Sequence, residues 1–530
     1  MPLKRYLSSA AFIAAFATSP LAAKSLVFCS DASPEGFDPA LYTSITTFDA
    51  SSRTIFNRIV EFETGTTNVV PGLAESWEVS DDKLEYTFHL RKGVKFHSNS
   101  SFTPTRDFNA DDILFSFNRQ RLADHPYHSV AESNWSYFEA MGMSERIADI
   151  IKVDDYTVKL VLNRPEAPMM SNLAMDFASI QSKEYADQML AAGTPEKLNQ
   201  APIGTGPFVF VNYQKDAVIR YEANPDYWEG ASPLDTLIFA ITPDASVRYQ
   251  RLKAGECQIM PYPNPADIQA MQDDPEIKVL TQEGLNVGYL AYNTLMKPFD
   301  DPRVRKALNM AVDKAAIVDV VYQRSGQIAK NPLPPTIWSY NDAVTDEPYD
   351  PEAAKALLKA AGVEDLTMKL WAMPVSRAYN PNARRMAEMM QSDFEKVGVT
   401  AEIISYEWGE YLSRSKSKDR DGAALLGWIG DNGDPDNFLS VLLGCDAVGG
   451  SNAANWCFEP YDELIQKAKT TSDKAERTRL YKEAQIIAKE QAPMLNIAHS
   501  VDFMPMSQKV DGYKIHPMGT HIFYGVDIQD

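Results

Sequence analysis

Short alternating runs of apolar and polar residues are interleaved along this chain with stretches of helical period. From Leu84 to Leu90 the side chains alternate, and the run stops at Arg91-Lys92-Gly93, which predicts a strand entering a turn. Thr157 to Leu162 is a second such run, stopped by Asn163-Arg164-Pro165. Between them, Asn109 precedes Ala110-Asp111-Asp112-Ile113-Leu114, the layout of a capped helix start with two acids in the first turn. The clearest helix spans 351–361. Asp350 can cap it, Pro351 suits a first turn that needs no amide donor, and Gly362 suits a left-handed C-terminal position. A second helix covers Arg384 to Val397, with Met386, Met389, Met390, Phe394 and Val397 on one face. A methionine face can serve as an adaptable binding surface, but a stripe of this kind ordinarily packs on the core and is read so. Val399 to Ile404 follows as a strand, and the helix–strand order predicts an α/β domain with mixed or parallel pairing. No internal repeat, low-complexity tract or long linker interrupts the chain, so composition marks no domain boundary.

The first 23 residues have a different organisation. Lys4 and Arg5 are followed by an apolar run from Ala10 to Ala17, then Pro20 and the small residues Ala22-Ala23. This is the layout of a cleavable export signal, and the apolar run is shorter than the roughly 20 residues a membrane span needs. Leu26-Val27-Phe28-Cys29 loosely resembles a lipoprotein site. Phe28 is too bulky for the position before the cysteine, and Cys29 lies well past the apolar run, so a soluble mature chain is expected. The formal charge is −21, and Lys4 and Arg5 are the only charged residues of the leader, which leaves −23 on the mature part. Such a surface disfavours nucleic acid and anionic membranes as partners. The four cysteines, Cys29, Cys257, Cys445 and Cys457, form an even set in an exported chain, which points to disulfides with three possible connectivities. Cys445 and Cys457 are placed to staple the loop containing Gly449-Gly450-Ser451-Asn452, which would leave Cys29 for Cys257. With no CxxC and no histidine near a cysteine, a metal site is the weaker reading.

Catalytic signatures are missing. There is no phosphate-binding Gly-Lys-Ser/Thr loop, no G-x-S-x-G elbow and no dinucleotide fingerprint after a strand. His125 and His128 flank Pro126, which argues for a surface turn, and no third metal ligand stands out. No cofactor and no catalytic residue is assigned. One segment does stand out: the apolar run Ala423 to Ile429, carrying Trp428, leads into Gly430-Asp431-Asn432-Gly433-Asp434-Pro435-Asp436. It reads as a capped turn, since Asp, Asn, Gly and Pro are turn formers, or as a carboxylate presented at a strand end beside a tryptophan. It lacks the ligand spacing and closing Glu of a calcium loop. Residue physics favours the turn, and both readings stand.

Several landmarks then fall in a familiar order: Pro71-Gly72-Leu73-Ala74-Glu75-Ser76-Trp77, Asn109-Ala110-Asp111-Asp112, Gly204-Thr205-Gly206-Pro207-Phe208 leading to Tyr227-Trp228, and Asp301-Pro302-Arg303-Val304-Arg305-Lys306-Ala307-Leu308. In this order they resemble the periplasmic solute-binding proteins of peptide ABC importers, over nearly the whole mature chain. Ser30 to Asp49, Trp371 to Arg385, Tyr406 to Leu412 and Gly427 to Phe438 carry the strongest likeness, to the members that bind dipeptides. The resemblance implies a two-lobed α/β periplasmic binding protein of type II kind with mixed sheets, a hinge and an extra inserted domain. Lobe I would take 24–55, 205–284 and 501–530, the inserted domain 56–204, and lobe III 285–500. It implies disulfides Cys29–Cys257 and Cys445–Cys457. It implies a dipeptide with free ends as ligand, an inner-membrane ABC dipeptide permease as partner, a monomer, and a periplasmic location. Relatives that bind longer peptides or haem share the general landmarks, so the same fold binding longer peptides, haem or another small solute is the alternative, and an extracytoplasmic hydrolase is the reading from a different class.

The resemblance also assigns the site. Asp431 would hold the peptide ammonium and Arg377 its carboxylate, which a guanidinium can grip bidentately. Each extended residue adds about 3.3–3.6 Å, so the separation of acid and base would act as a ruler. Trp408 and Trp428 would wall the side-chain pockets, with Tyr379, Thr43 and Ser44 lining the cleft. The plainer readings are a surface ion pair for Arg377 and simple core for Trp408. Asp431 and Arg377 both fall in lobe III, so closure would depend on lobe I contacts near Thr43.

Overall fold

The computed structural model describes residues 23–130, 135–323, 325–363 and 365–529. Residues 1–22 of the expected leader lie outside the described residues. Where sequence period and caps agree, the elements form as the pattern requires. The alternating run forms the strand Glu85–Leu90, which pairs antiparallel with Thr157–Leu162 in the four-stranded sheet Ala74–Val79, Glu85–Leu90, Thr157–Leu162, Ile147–Asp154. Both central strands bury alternate residues, as a sheet with one covered face does. The helix Ala110–Arg121 starts in a capping box, with Asn109 accepting from the Asp111 amide and Asp112 accepting from the Asn109 amide. Asp350 caps Pro351–Ala360 by accepting from the Ala353 amide, and Gly362 has φ +74°. On the helix Ala383–Lys396, Met386, Met390 and Phe394 are buried and Met389 is half-buried.

Two further sheets carry the remainder of the framework. Ser25–Phe28 lies parallel to Thr236–Ala240, which continues antiparallel into Val218–Ala223 and Phe208–Gln214. The larger sheet runs in the order Ile277–Glu283, Met494–Ser507, Asn286–Tyr292, Ala423–Ile429, Thr367–Trp371, Thr400–Ile404, with Gly326–Ile328 added beside Met494–Ser507. Its pairing is mixed: Thr367–Trp371 is parallel to both Thr400–Ile404 and Ala423–Ile429, while Asn286–Tyr292 is antiparallel to Ala423–Ile429. Asn286–Tyr292 is buried at every position, so it shows no alternation in sequence.

Met494–Ser507 spans two environments. Its first part pairs with Asn286–Tyr292, and Val501 to Ser507 pairs with Ile277–Glu283. Ile259 bridges Met506 on one side and Phe28 on the other, which brings the beginning of the chain, the 250s and the end of this strand together. Leu26, Phe28, Phe208, Phe239, Met504 and Phe523 accordingly share one apolar cluster. The disulfide Cys29–Cys257 lies in its own buried cluster with Met260 and Met271, and Cys445–Cys457 closes the short glycine loop. Among the described residues no helix is long and apolar enough to cross a membrane.

Candidate functional site

The strand Ala423–Ile429 aims at the site. Gly427 lies opposite Gly288 of the neighbouring strand. A Cβ on Gly427 would lie 2.1 Å from Tyr379 Cδ2, and one on Gly288 would lie 2.2 Å from the Tyr379 carbonyl oxygen. The glycine pair therefore leaves a trough into which Tyr379 folds. Tyr322 Oη donates to the Tyr379 carbonyl at 2.6 Å, Ser500 Oγ donates to the Ala378 carbonyl at 2.7 Å, and Arg377 and Asn380 exchange backbone hydrogen bonds. These contacts fix the segment that presents Arg377.

Beyond the strand, the Asp431 loop contains both features its sequence suggested. Asn432 and Asp434 accept from the amides of Asp434 and Asp436, which are the bonds of Asx turns, and Gly433 has φ +68°. Asp431 itself lines a cavity together with Thr43, Ser44, Arg377, Tyr379, Trp408 and Trp428. The cavity encloses about 690 Å³ of space, part of it continuous with solvent. All seven residues assigned from the resemblance thus border one space, with Lys416 and Tyr137 among the others around it.

Groups of opposite charge line the cavity. Tyr137 Oη donates to Asp431 Oδ2 at 2.6 Å, and its ring packs edge-on to Trp428. Asn437 Oδ1 accepts from both Trp428 Nε1 and the Asp431 amide. Burial pushes the Asp431 carboxyl up to about 7; the Tyr137 bond opposes the rise and Asp176 adds to it. Arg377 is 2 % exposed, with its guanidinium against the rings of Tyr262 and Trp408. It forms an ion pair, but a buried one, with Asp31, and it donates to Thr46 Oγ1 at 3.1 Å. Burial works against its charge, and Asp31 and the neighbouring tyrosines hold its pKa above the ordinary value. Trp408 opens the helix Trp408–Ser415, stacks on Tyr411, and is buried at 5 % exposure, yet it faces the cavity with an Nε1 that has no hydrogen-bond partner among the described residues.

Contacts across the cleft come from more of the chain than sequence reasoning anticipated. Thr43 Oγ1 accepts from Lys416 Nζ at 3.0 Å, and Asp31 and Thr46 hold Arg377. The segment 56–204 adds Tyr137 on Asp431, Asn172 accepting from Asn432, and Arg146 donating to Gln466. Ser44 is buried at the start of the short helix Ile45–Ala50, where its side chain makes no cap hydrogen bond. Tyr137, Asp31 and Lys416 were not identified from the sequence; no local pattern marks them. Behind Arg377 a second cavity of about 540 Å³ shares Arg377 and Ile429 with the first. It is lined by Tyr262, Asp502, His516 and Thr520, and burial pushes Asp502 up to about 7. His125 and His128 lie in a turn, where His128 Nδ1 is 3.0 Å from the Arg119 carbonyl oxygen. Among the described residues no group of three or more His, Cys, Asp or Glu side chains is arranged to hold a metal ion.

Residues 68–450 match the family described as bacterial extracellular solute-binding proteins, family 5 Middle. The dipeptide-binding protein of Escherichia coli K12 is 58% identical over 96% of this chain and 95% of its own length. Heme-binding protein A of Haemophilus influenzae is 52% identical over 95% of this chain and 92% of its own length. Among solved structures, the dipeptide-binding protein from Pseudoalteromonas sp. SM9913 in complex with Met-Leu superposes with a TM-score of 0.93 at 39% identity, covering 96% of this chain and all of that one.

Proposed function

The chain belongs to the bacterial extracellular solute-binding proteins of family 5, and from that premise we propose that it captures dipeptides with free ends in the periplasm and delivers them to an inner-membrane ABC importer. The observation that carries this reading is that one cavity has a carboxylate, Asp431, and a buried guanidinium, Arg377, among its lining residues, together with Trp408 and Trp428. A dipeptide offers an ammonium and a carboxylate at a fixed separation, so matched end charges supply affinity while side chains vary. Asp431 takes the ammonium and Arg377 the carboxylate, and the tryptophans form walls for the side chains.

Lobe I (24–55, 205–284 and 501–530), the inserted domain (56–204) and lobe III (285–500) close on the ligand in this reading. A ligand drives closure only through contacts it makes better in the closed state. Asp31, Thr43 and Thr46 from the first segment and Tyr137 from the second supply such contacts beside Arg377, Lys416 and Asp431. The protein is a carrier and not an enzyme, and residues 1–23 serve as its export signal.

Titration calorimetry with Ala-Ala, N-acetyl-Ala-Ala and Ala-Ala-amide tests the clamp. Tight binding of the free dipeptide and loss of binding on blocking either end is expected; equal affinity for all three would refute it. Free alanine released during incubation with Ala-Ala would mark a hydrolase. Haem is the second reading, favoured by the Haemophilus relative, and a Soret band on titration would be its sign.

A further inference from the structure

Lys416 closes the C-terminal end of the helix Trp408–Ser415 and lines the same cavity as Asp431 and Arg377. An ammonium has three donors. One reaches Thr43 Oγ1 at 3.0 Å, and among the described residues no carboxylate lies within ion-pair distance of Nζ. Glu35 is the opposing charge that acts on it. Its carboxyl is raised by burial, a rise that Lys416 and the Thr47 hydroxyl oppose, and Glu407 and Arg377 also act on it. Burial in turn lowers the Lys416 pKa, with Glu35 holding it up. A half-buried cation with spare donors beside a ligand cavity is costly unless the ligand itself brings a negative group.

The termini of a dipeptide already have partners in Asp431 and Arg377. Leu412, Ser415, Lys416 and Ser451 line the same cavity, so a side chain of the bound peptide can meet Lys416 there. We propose that Lys416 is a specificity-determining residue whose ammonium binds a carboxylate in the side chain of the bound peptide, so that dipeptides containing glutamate or aspartate are held more tightly than neutral ones of the same shape. This rests on the reading of the cavity as a dipeptide site.

Affinities of Ala-Ala, Glu-Ala, Gln-Ala, Ala-Glu and Ala-Gln for the protein and for its Lys416→Met and Lys416→Arg variants test the idea. Glutamate is expected to bind about tenfold more tightly than glutamine at one of the two positions. Lys416→Met should bring that ratio to one, and Lys416→Arg should keep it. Using the ratio removes the effect of losing the Thr43 contact, which is common to all the ligands. Equal binding of glutamate and glutamine at both positions, or a ratio that survives Lys416→Met, overturns the proposal. Failure of every dipeptide to bind, Ala-Ala included, overturns the dipeptide reading itself.

Discussion

Replacing Asp431 with asparagine should move binding and stability in opposite directions. In the ligand-free protein the carboxyl is pushed up to about 7 by burial, against about 3.9 in an unfolded chain. A raised carboxyl binds its proton more tightly when folded. The folded state is therefore favoured below the unfolded pKa, and that advantage disappears as pH rises through 7. Above pH 7 the folded chain bears a buried charge whose cost, at 1.36 kcal/mol per pH unit, is roughly 4 kcal/mol. Asparagine removes that cost, keeps an acceptor for the Tyr137 hydroxyl, and fits the same space. It also leaves the peptide ammonium without a counter-charge in the closed cleft, and stripping one partner from a buried pair costs about 3–5 kcal/mol, a loss of roughly a hundredfold to several thousandfold in affinity. Calorimetry with Ala-Ala at pH 7.5 and melting of the ligand-free proteins at the same pH measure the two effects. The variant should melt at the same temperature or higher and bind at least a hundredfold more weakly. Affinity within threefold of the parent, or a lower melting temperature without ligand, would refute the reasoning.

Arg377→Ala should abolish peptide binding as well, but it should lower the melting temperature, because it leaves Asp31 as a buried unpaired charge at a cost of about 3–5 kcal/mol. Dipeptide affinity should fall as pH drops below about 7, by at most tenfold per unit, since binding an ammonium draws the proton off Asp431; calorimetry from pH 8 to pH 5 checks this, and Asp431→Asn should flatten the profile. By loop-closure entropy, removing Cys29–Cys257, with its sequence separation of 228, should cost about 5 kcal/mol and removing Cys445–Cys457, with a separation of 12, about 3; denaturant titration of the paired Cys→Ala variants compares them.

Local signals identified the elements they wholly determine. The Asp350 cap, Pro351 and Gly362 delimit one helix, and the Asn109 box begins another. The methionine stripe of Ala383–Lys396 packs on the core, with Met386, Met390 and Phe394 buried there, as its helical period requires. Asn286–Tyr292 escaped notice for a physical reason: a strand buried on both faces has no period to read. At the site, the Asp431 loop could be read two ways because it is both an Asx-turned loop and a wall of the cavity. Only the family likeness distinguished Asp431 from its neighbouring aspartates. Tyr137 lies 294 positions from the carboxylate it meets, and Asp31 lies 346 from Arg377. Lys416 belongs to Ser413-Arg414-Ser415-Lys416-Ser417-Lys418, a run that reads as an exposed helix end. Partners this distant are joined by the closing of one segment upon another, which leaves no trace in local sequence.

The order of the disulfides has a consequence for how the protein is made. Cys29 pairs with Cys257 and Cys445 with Cys457, so the first thiol joins the second and the third joins the fourth. A chain threaded N-terminus first into an oxidising compartment exposes its thiols in that order. An oxidant that links each new thiol to the one still waiting makes only the native bonds, and no rearrangement is required. Refolding from the fully reduced chain removes that order, since all four thiols then compete at once. In a chain delivered that way, the order in which the thiols appear would by itself resolve the choice among three connectivities.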